Sequence, residues 1–529
     1  MWNIGWRNRV WSELERPWDL VVIGGGITGA GILREAVRAG LRTLLVEARD
    51  FASGTSSRSS KLVHGGLRYL KQGEIKLTVE SVRERERLLK EGRGLINQLG
   101  FLMPTFRGDW PPAWVLGLGL TVYDLLAWRW NHRHYDADDM RELCPGINGR
   151  GLLGGYRYFD AQTDDARLVL RVIREAVRAG GVALNYAPVE SLLRKNSGAV
   201  CGVALRDQTT GRTAEAQASV VINATGAWAD SVRAYVSRPP RLRLLRGSHL
   251  IFSARRLALR RAITFMHPLD WRPVFALPWE GITLFGTTDV DHGQFVETDP
   301  VMSEDEIEYL LTALHYAFPA LELNPADAQG AFSGVRAVVG TGQSNPSKES
   351  REHVLWREAG LLTVTGGKLT TFRLMAHNAL RAVRAHLPHH PALDIDQKTP
   401  GIPPDVGSQD APSRLRDDPA TLLRLAGRYG ADASTMMAAI HSDELESIGD
   451  STALWTELRW AARAEGVVHL EDLLLRRVRL GLLLPQGGRA HMARIRAIAQ
   501  SELGWDDERW ATEAEAYARV WARSYSLPT

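Results

Sequence analysis

The chain has 529 residues, about three times the roughly 150-residue length of an average domain, so we expect two or three domains around at least one large core. Lys and Arg number 65 against 61 Asp and Glu, and the resulting net charge of +4 gives no support to nucleic-acid binding. With only Cys144 and Cys201, a thiolate metal cluster or a disulfide framework is excluded. We therefore expect no metal site and a reducing compartment.

Residues 1–17 contain scattered Trp and Arg but no continuous apolar run, so we predict no secretory signal and a protein that stays inside the cell. The next segment contains a nucleotide-binding pattern. The apolar strand Asp19–Ile23 leads directly into Gly24, Gly25, Gly26, Ile27, Thr28 and Gly29, and a helical pattern then extends to Gly40. Glycines in this strand–turn–helix context let the backbone approach a pyrophosphate at the helix N-terminus.

A second apolar strand, Leu41–Val46, ends at Glu47, which lies 18 residues after Gly29. A carboxylate at about this spacing accepts hydrogen bonds from an adenosine ribose. The pattern predicts dinucleotide binding, and both NAD and FAD fit at this point. The usual nicotinamide enzyme would continue with alternating strands and helices. Here a loop rich in hydroxyls and glycines, Thr55–Tyr69, follows instead.

Apolar residues also dominate Trp114–Trp130, where Thr121, Asp124 and Arg129 interrupt them. This stretch is too short and too interrupted to span a bilayer. It fits either a buried helix or a helix at a membrane interface. Prolines break all periodicity between His386 and Ser413, which predicts a linker, and apolar residues then recur at helical spacing from Leu415 to Trp521.

Several short motifs lie between these segments, and their sequences and separations resemble those of a known family. They are His64–Tyr69, Asn223–Trp228, Gly247–His249, Gly286–Asp289, Ser333–Arg336 and Thr365–Thr371. With His-Gly-Gly-Leu-Arg-Tyr and Gly-Gly-Lys-Leu-Thr-Thr at these positions, the chain resembles the FAD-dependent, membrane-associated glycerol-3-phosphate dehydrogenases. The resemblance is strong over residues 18 to about 385 and looser beyond.

The resemblance implies an α/β and α+β flavoprotein with a Rossmann-like FAD-binding domain of the glycine-oxidase group, an antiparallel-sheet substrate domain and a helical C-terminal domain. We expect the oxidoreductase region to occupy 18–388. Its FAD-binding segments would be about 18–80, 160–228 and 355–385, and its substrate domain mainly 81–159 and 229–354. A linker at 389–413 and the helical domain at 414–529 would follow.

The resemblance also implies roles for site residues. His64 would remove the substrate hydroxyl proton, a task that suits a pKa near neutrality. His249 is the competing base, or a hydrogen-bond donor to the same oxygen, and Arg336 and Lys368 complete the catalytic set. Ala337 follows Arg336 where the family usually has proline, so we expect that loop to lack the rigidity a proline would give. Substrate binding, including charge-assisted contacts to a phosphate, would involve Arg68, Tyr69, Arg351 and Thr371.

Lys368 does not belong to an ATP-binding loop, because no glycine lies five positions before Gly367. We expect Thr370 and Thr371 to begin a helix whose N-terminus faces the flavin. The residues expected to contact FAD are Gly24, Gly25, Gly26, Ile27, Thr28, Gly29, Glu47, Thr55, Ser56, Ser57, Lys61, Leu62, Gly65, Gly226, Gly367, Leu369 and Thr370. Neither cysteine lies in a recognised flavin loop, so we expect dissociable FAD.

The implied reaction is oxidation of sn-glycerol 3-phosphate to dihydroxyacetone phosphate, with hydride transfer to FAD and electrons passed to a membrane quinone. A glycerol-3-phosphate oxidase that uses dioxygen, a flavin amine or amino-acid oxidase, and a non-catalytic flavoprotein are the alternatives. We expect no nucleic-acid partner, and a homodimer is compatible with the sequence.

A lipid-soluble acceptor implies peripheral attachment to the cytoplasmic face of the inner membrane. Trp2, Trp6 and Trp11, interleaved with Arg7, Arg9 and Arg16, and the stretch Trp110–Trp130 are the expected apolar wedges with cationic neighbours. The alternative buries both segments in the core.

Overall fold

The computed structural model describes residues 2–66, 74–127, 130–237, 239–293, 299–340, 349, 352–388 and 413–528. Its strands form two sheets. They are β1 Trp18–Ile23, β2 Thr43–Val46, β3 Leu62–Val63, β4 Ile96–Phe106, β5 Arg133–Tyr135, β6 Leu152–Thr163, β7 Val182–Leu184, β8 Val189–Arg194, β9 Val200–Arg206, β10 Thr213–Asn223, β11 Leu242–Ser253, β12 Ala262–Met266, β13 Pro273–Trp279, β14 Ile282–Gly286, β15 Val290–Asp291, β16 Ala328–Val339, β17 Val354–Glu358 and β18 Leu361–Thr365.

Helices cover the sheets and make up the regular structure of the C-terminal part that the structure describes. They are α1 Trp6–Trp11, α2 Ile27–Arg38, α3 Ile75–Glu91, α4 Ala113–Ala127, α5 Ala137–Leu143, α6 Asp165–Arg178, α7 Ala229–Arg233, α8 Glu304–Ala317, α9 Phe372–Val383, α10 Ser413–Arg416, α11 Pro419–Tyr429, α12 Ala433–Ala438, α13 Trp455–Ala464, α14 Leu480–Leu483, α15 Met492–Leu503 and α16 Asp507–Ser524, together with a π-helical turn at Asp472–Arg477.

The first sheet has the strand order β17-β18-β10-β1-β2-β7, and β9 and β8 extend it from the first half of β10. Strands β18, β10, β1, β2 and β7 are parallel. The β1 sequence Trp-Asp-Leu-Val-Val-Ile is almost continuously apolar because both faces of a parallel sheet are covered. Gly31 on α2 permits close helix packing, since a Cβ there would lie 2.8 Å from Phe372 at the start of α9.

The second sheet has the order β15-β11-β14-β13-β12-β4-β6-β3, with β16 paired to β11 and β5 to β6. Every described pair is antiparallel except β12 with β4. Strand β3 belongs to this sheet, although Leu62 and Val63 lie inside the 18–80 segment expected for the first one. The Thr55–Gly66 loop therefore crosses from one sheet to the other.

The C-terminal helices pack against the second sheet, where Leu473 and Leu480 share a core with Phe101 and Leu277. They also meet α6, the helix before β7, through buried ion pairs such as Arg167 with Glu465. The predicted fold class is confirmed: an α/β half, a mainly antiparallel half and a helical C-terminal region. The predicted linker lies outside the described residues except at Ser413, where α10 begins.

The prediction that the N-terminal tryptophans form a membrane wedge is wrong. Trp2, Trp6 and Trp11 are all buried, and Trp2 stacks on Phe51 with 5.1 Å between ring centroids. The apolar periodicity of this segment reflects packing on the first sheet, and Arg7 is used internally, where it donates to Asp207 at 2.7 Å.

Helix α4, in the second expected wedge, has a different environment. Trp114 is 70% exposed and Leu125 is 62% exposed, while Leu120 and Tyr123 on the opposite side are buried. Trp110 and Trp130, which flank the helix, are also exposed. Within the described residues, no helix combines the length and the apolar character needed to cross a bilayer.

Candidate functional site

The glycine turn between β1 and α2 brings backbone unusually close to backbone. A Cβ on Gly24 would lie 2.6 Å from the carbonyl oxygen of Ala224, and one on Gly29 would lie 1.9 Å from that of Gly24. At Gly26, the residue before α2, the nearest atom to such a Cβ is the Ser56 hydroxyl at 3.1 Å. The turn therefore places the N-terminus of α2, at Ile27 and Thr28, where it can bind an anionic group.

Glu47 lies at the end of β2, as predicted, and both of its oxygens are already engaged by backbone. The Gly25 N–H donates to Oε2 at 2.6 Å, and the Arg49 N–H donates to Oε1 at 2.8 Å. Burial raises the pKa of this carboxyl group. A carboxylate oxygen has two acceptor positions, so these bonds fix the side chain and leave it able to accept from a ribose hydroxyl.

A cavity of about 910 Å³ opens beside this turn, against the second sheet. Its walls bring together the four residues predicted to be catalytic, His64, His249, Arg336 and Lys368. Of the predicted cofactor contacts, the lining residues are Ile27, Thr55, Ser56, Leu62, Gly367, Leu369 and Thr370. Residues separated by more than 300 positions in sequence thus face one space.

The loop after β2 is held in place by polar contacts at several points. The Ser56 hydroxyl accepts from the Ile27 N–H at 3.0 Å, and the Thr55 hydroxyl donates to the Val335 carbonyl of β16. Ser57 is buried and its hydroxyl donates to the Gly54 carbonyl at 3.4 Å. These bonds orient the loop along the cavity wall next to α2.

The structure gives Lys61 a structural position instead of one on the cavity wall. Its ammonium group is fully buried and lies 3.0 Å from both oxygens of Asp165 at the start of α6. Burial lowers the pKa of Lys61 to about 8, against the opposing effect of Asp165. The lysine thus ties the loop to α6.

His249 lies on β11, where the register places it opposite Gly286 of β14 and Phe332 of β16. Its ring stacks on Phe332, and Nε2 lies 2.8 Å from the Ser60 hydroxyl. Among the described residues, Nδ1 has no hydrogen-bond partner although it is buried. Burial, with the nearby positive charges of Lys61 and Arg336, lowers the pKa of His249 to about 3. The imidazole is therefore neutral at physiological pH.

Arg336 lies on β16, and its guanidinium donates to the fully buried carboxylate of Asp289. Arg272 approaches the other oxygen of Asp289 at 3.4 Å. Arg272 was missed at the sequence level, where no motif distinguishes it from the other arginines. A single carboxylate thus orients two guanidinium groups beside the cavity wall.

Lys368 and the residues after it contribute another part of the cavity wall. The Lys368 ammonium donates to the Ser81 hydroxyl of α3 at 2.7 Å, and a 3-10 turn at Leu369–Thr371 leads into α9. Thr371 is buried and its hydroxyl lies 3.5 Å from the Lys368 carbonyl. Gly367 has φ of +73°, and a Cβ there would lie 2.4 Å from the Met375 sulfur. The turn therefore requires glycine at this position.

The remaining predicted residues are placed less directly. Gly226 begins a short 3-10 turn after β10 with φ of +59°, and a Cβ there would meet nothing within 4 Å. Gly65 is packed against Tyr123, whose hydroxyl would lie 2.2 Å from a Cβ. Arg68, Tyr69 and Arg351 lie outside the described residues.

Comparisons with known proteins agree with this geometry. Residues 19–373 match the family described as FAD dependent oxidoreductase, and residues 407–510 match the C-terminal domain of alpha-glycerophosphate oxidase. A Mycobacterium bovis protein named glycerol-3-phosphate dehydrogenase 2 is 35% identical over 512 residues, covering 94% of this chain and 86% of the relative. The aerobic glycerol-3-phosphate dehydrogenase of Staphylococcus haemolyticus is 34% identical, covering 87% and 86%.

Solved structures show the same relationship. The structure of a glycerol-3-phosphate dehydrogenase from Bacillus halodurans complexed with FAD has a TM-score of 0.80 at 28% identity, covering 99% of this chain and 98% of that one. Glycine oxidase from Bacillus cereus, with a TM-score of 0.51 at 18% identity over 69% and 95% of the chains, shares the fold alone.

The residues present fit FAD. The glycine turn provides a close backbone approach that side chains would block, Glu47 is fixed at the end of β2, and the adjoining cavity is large enough for a ring system and a small substrate. The chain therefore belongs to the FAD-dependent glycerol-3-phosphate dehydrogenase family, and its cofactor is FAD.

Proposed function

We propose that the protein oxidises the C2 hydroxyl of sn-glycerol 3-phosphate to give dihydroxyacetone phosphate, and that a membrane quinone is the final electron acceptor. The observation that carries the proposal is the convergence of His64, His249, Arg336 and Lys368 on one cavity beside the dinucleotide turn. FAD, when bound, accepts the hydride that leaves C2. The predicted cofactor contacts and domain division remain part of the proposal.

His64 is the proposed base that removes the hydroxyl proton. The alternative base, His249, has a pKa of about 3 and so binds protons too weakly to compete near neutral pH. In the tautomer whose Nε2 accepts from Ser60, Nδ1 carries a hydrogen and can donate to the substrate oxygen. This supports the second of the two roles considered for His249.

Arg336 is the proposed anchor for the substrate phosphate. Asp289 holds its guanidinium in a fixed orientation at the cavity wall, and charge-assisted bonds from such a fork suit phosphate geometry. Arg68, Tyr69, Arg351 and Thr371 are proposed as further substrate contacts. Lys368 adds a second positive charge to the cavity wall.

The quinone proposal is supported by α4, which has an apolar surface on both sides. Val115, Leu116 and Leu126 line the cavity, while Trp114 and Leu125 are exposed. A contiguous apolar surface of this kind marks an interaction site for membranes or partners. A lipid-soluble acceptor approaching from a bilayer would meet this helix at the cavity wall.

The match of residues 407–510 to a domain of alpha-glycerophosphate oxidase keeps dioxygen as the second candidate acceptor. One experiment that begins under anaerobic conditions tests both the substrate and the electron acceptor. sn-Glycerol 3-phosphate should bleach the bound flavin, and a quinone analogue should restore its absorbance faster than air. If glycine or proline bleaches the flavin and the phosphate ester does not, the substrate assignment is wrong. If air restores the absorbance as fast as the quinone analogue does, the oxidase reading replaces the quinone proposal.

Flotation with anionic liposomes tests the membrane surface. The wild-type protein should float at low salt, and the double variant Trp114→Ser/Leu125→Ser should float less while keeping its flavin. Leu269→Ser is the matched control, because Leu269 is a comparably exposed leucine on the connection between β12 and β13. If the double variant floats as well as the control, α4 is not the attachment surface.

A further inference from the structure

We propose that Asp160, Arg85 and Tyr123 form a positioning network for the proposed base His64. This assigns a role to three buried residues on three different elements: β6, α3 and α4. The inference rests on the proposed function only in taking His64 as the group that must be held in place.

Asp160 fixes the peptide bond that follows His64. Its Oδ1 accepts from the Gly65 N–H at 3.1 Å, and the carboxylate lines the cavity. The carbonyl of His64 is held from the other side, where the Thr370 hydroxyl donates to it at 3.3 Å. The N–H and the carbonyl of one peptide unit are therefore held by two elements distant in sequence, which restricts rotation of the backbone that carries the imidazole.

Arg85 orients the carboxyl group of Asp160 and opposes the effect of burial on it. Its Nη1 donates to Asp160 Oδ1 at 3.1 Å and to the Tyr123 hydroxyl at 2.6 Å. Burial raises the pKa of Asp160, and the guanidinium of Arg85 opposes this effect. A buried carboxylate without such a partner would be costly, so the arginine allows an acidic residue at the cavity wall.

Tyr123 closes the network. Its hydroxyl donates to Asp160 Oδ2 at 3.4 Å, and the side chain lies directly against Gly65, where any Cβ would collide with it. A side chain at residue 65 would displace either the tyrosine or the His64 loop. The packing and the hydrogen bonds thus specify the same position for the loop.

A general stabilising cluster would affect folding and leave a folded variant catalytically normal, whereas a positioning network must affect the step that depends on His64. Misplacing a reacting group by about 1 Å can cost on the order of 100-fold in rate. The measurable difference is therefore the rate of flavin reduction at saturating substrate, separated from substrate affinity.

The main variant is Tyr123→Phe, which removes one hydroxyl and keeps the ring that packs on Gly65. In anaerobic stopped-flow experiments on the FAD-loaded protein, we expect flavin reduction by sn-glycerol 3-phosphate to slow by about tenfold while the substrate Kd changes by less than about twofold. Asp160→Asn removes the carboxylate that pairs with Arg85, and it should slow flavin reduction by about 100-fold. Tyr517→Phe is the control, because its buried hydroxyl donates to the Gly487 carbonyl in the C-terminal region.

Amide hydrogen exchange supplies a readout independent of activity. In the wild type, the peptide containing His64–Gly66 should exchange slowly, and Tyr123→Phe should speed its exchange while Tyr517→Phe does not. Complete exchange of that peptide within seconds in the wild type would overturn the proposal. So would wild-type reduction rates in either network variant that retains FAD. If another substrate replaces sn-glycerol 3-phosphate, the ratio of variant to wild-type rates with that substrate still tests the network.

Discussion

The surroundings of His249 in the cavity wall and the contact of the C-terminal helices with α6 and the loop after β2 are both buried, yet a titratable group meets opposite electrostatic environments in the two places. We call the second region the ionic seam and define it by Asp50, Asp164, Asp165, Asp472, Glu465, Lys61, Arg167, Arg476, Arg477 and Arg479. In the seam, Arg476 and Arg477 donate to Asp50. Burial alone would raise the pKa of Asp50, but the two arginines lower it to about 2.

In the cavity, the surroundings of His249 disfavour its charged form, since burial and nearby cations act in the same direction. One ring nitrogen is bonded to Ser60 and the other has no partner in the part of the chain that the structure describes. Burial penalises charge in both regions, so the partners decide the outcome. The seam charges have opposite charges within hydrogen-bonding distance, so removing one partner is costly, whereas the neutral imidazole of His249 keeps one ring nitrogen available for a substrate.

The largest expected effect is loss of stability in the seam. Asp50→Ala leaves two buried guanidinium groups without their shared partner and should cost about 3–5 kcal/mol. This corresponds to a fall in the thermal midpoint of roughly 10 °C, measurable by differential scanning fluorimetry. Asp450→Ala is the control, because Asp450 pairs with Arg255 on the surface and should shift the midpoint little. Equal shifts in the two variants would show that loss of Asp50 from the seam costs no more stability than loss of a surface partner.

An intermediate effect on binding, with little effect on folding, is expected in the cavity. Arg336→Ala removes a charge-assisted donor, which costs roughly 1.5–3 kcal/mol or about 10- to 150-fold in affinity for sn-glycerol 3-phosphate. Any slow turnover of glycerol should remain almost unchanged, and Arg336→Lys should lose less affinity because it keeps the charge. Anaerobic titration of flavin absorbance with sn-glycerol 3-phosphate measures the affinity, and the rate of flavin reduction by glycerol measures the slow turnover. If Arg336→Ala weakened the phosphate ester and glycerol equally, the assignment of Arg336 to the substrate phosphate would be wrong.

The smallest effect concerns pH. The pKa of His249 is lowered from 6.5 to about 3, so between these values the unfolded chain binds more protons at this site than the folded one. Stability from this group is therefore present above pH 6.5 and is lost as the pH falls, at about 1.4 kcal/mol per pH unit. Thermal midpoints of the wild type and of His249→Gln, measured at pH 7.5 and 5.0, should differ in their pH dependence, with the wild type losing more. Parallel curves would show that the histidine titrates normally in the folded state.

Much of the first sheet was predictable because its signals are local. An apolar strand, a glycine turn and an acid at the end of the next strand lie within residues 19–47 and appear in the structure as β1, the start of α2 and β2. The helical C-terminal region was predictable for the same reason, since its periodicity is local. The resemblance carried by the short motifs also identified four residues that lie on the cavity wall: His64, His249, Arg336 and Lys368.

Residues without a local signal were missed, and long-range partners could not be foreseen. Asp160 and Arg85 look like ordinary charged residues in a strand and a helix, and only the packing of α3 on β6 and α4 makes them a cluster. Lys61 lies in a hydroxyl-rich loop typical of cofactor contacts, yet its partner Asp165 is 104 residues away. The tryptophans of α1 and those around α4 have similar apolar spacing, and the sequence favoured a membrane role for both.

The sequence by itself determined that this chain builds a dinucleotide-binding sheet, where the turn lies, and which family motifs accompany it. These are properties of neighbouring residues, and chain geometry translates them directly into strand, turn and helix. Only the tertiary structure decided which apolar face remains exposed and which charged groups neutralise one another. Burial and pairing depend on residues far apart in the chain, so Trp2 could become core while Trp114 stayed at the surface.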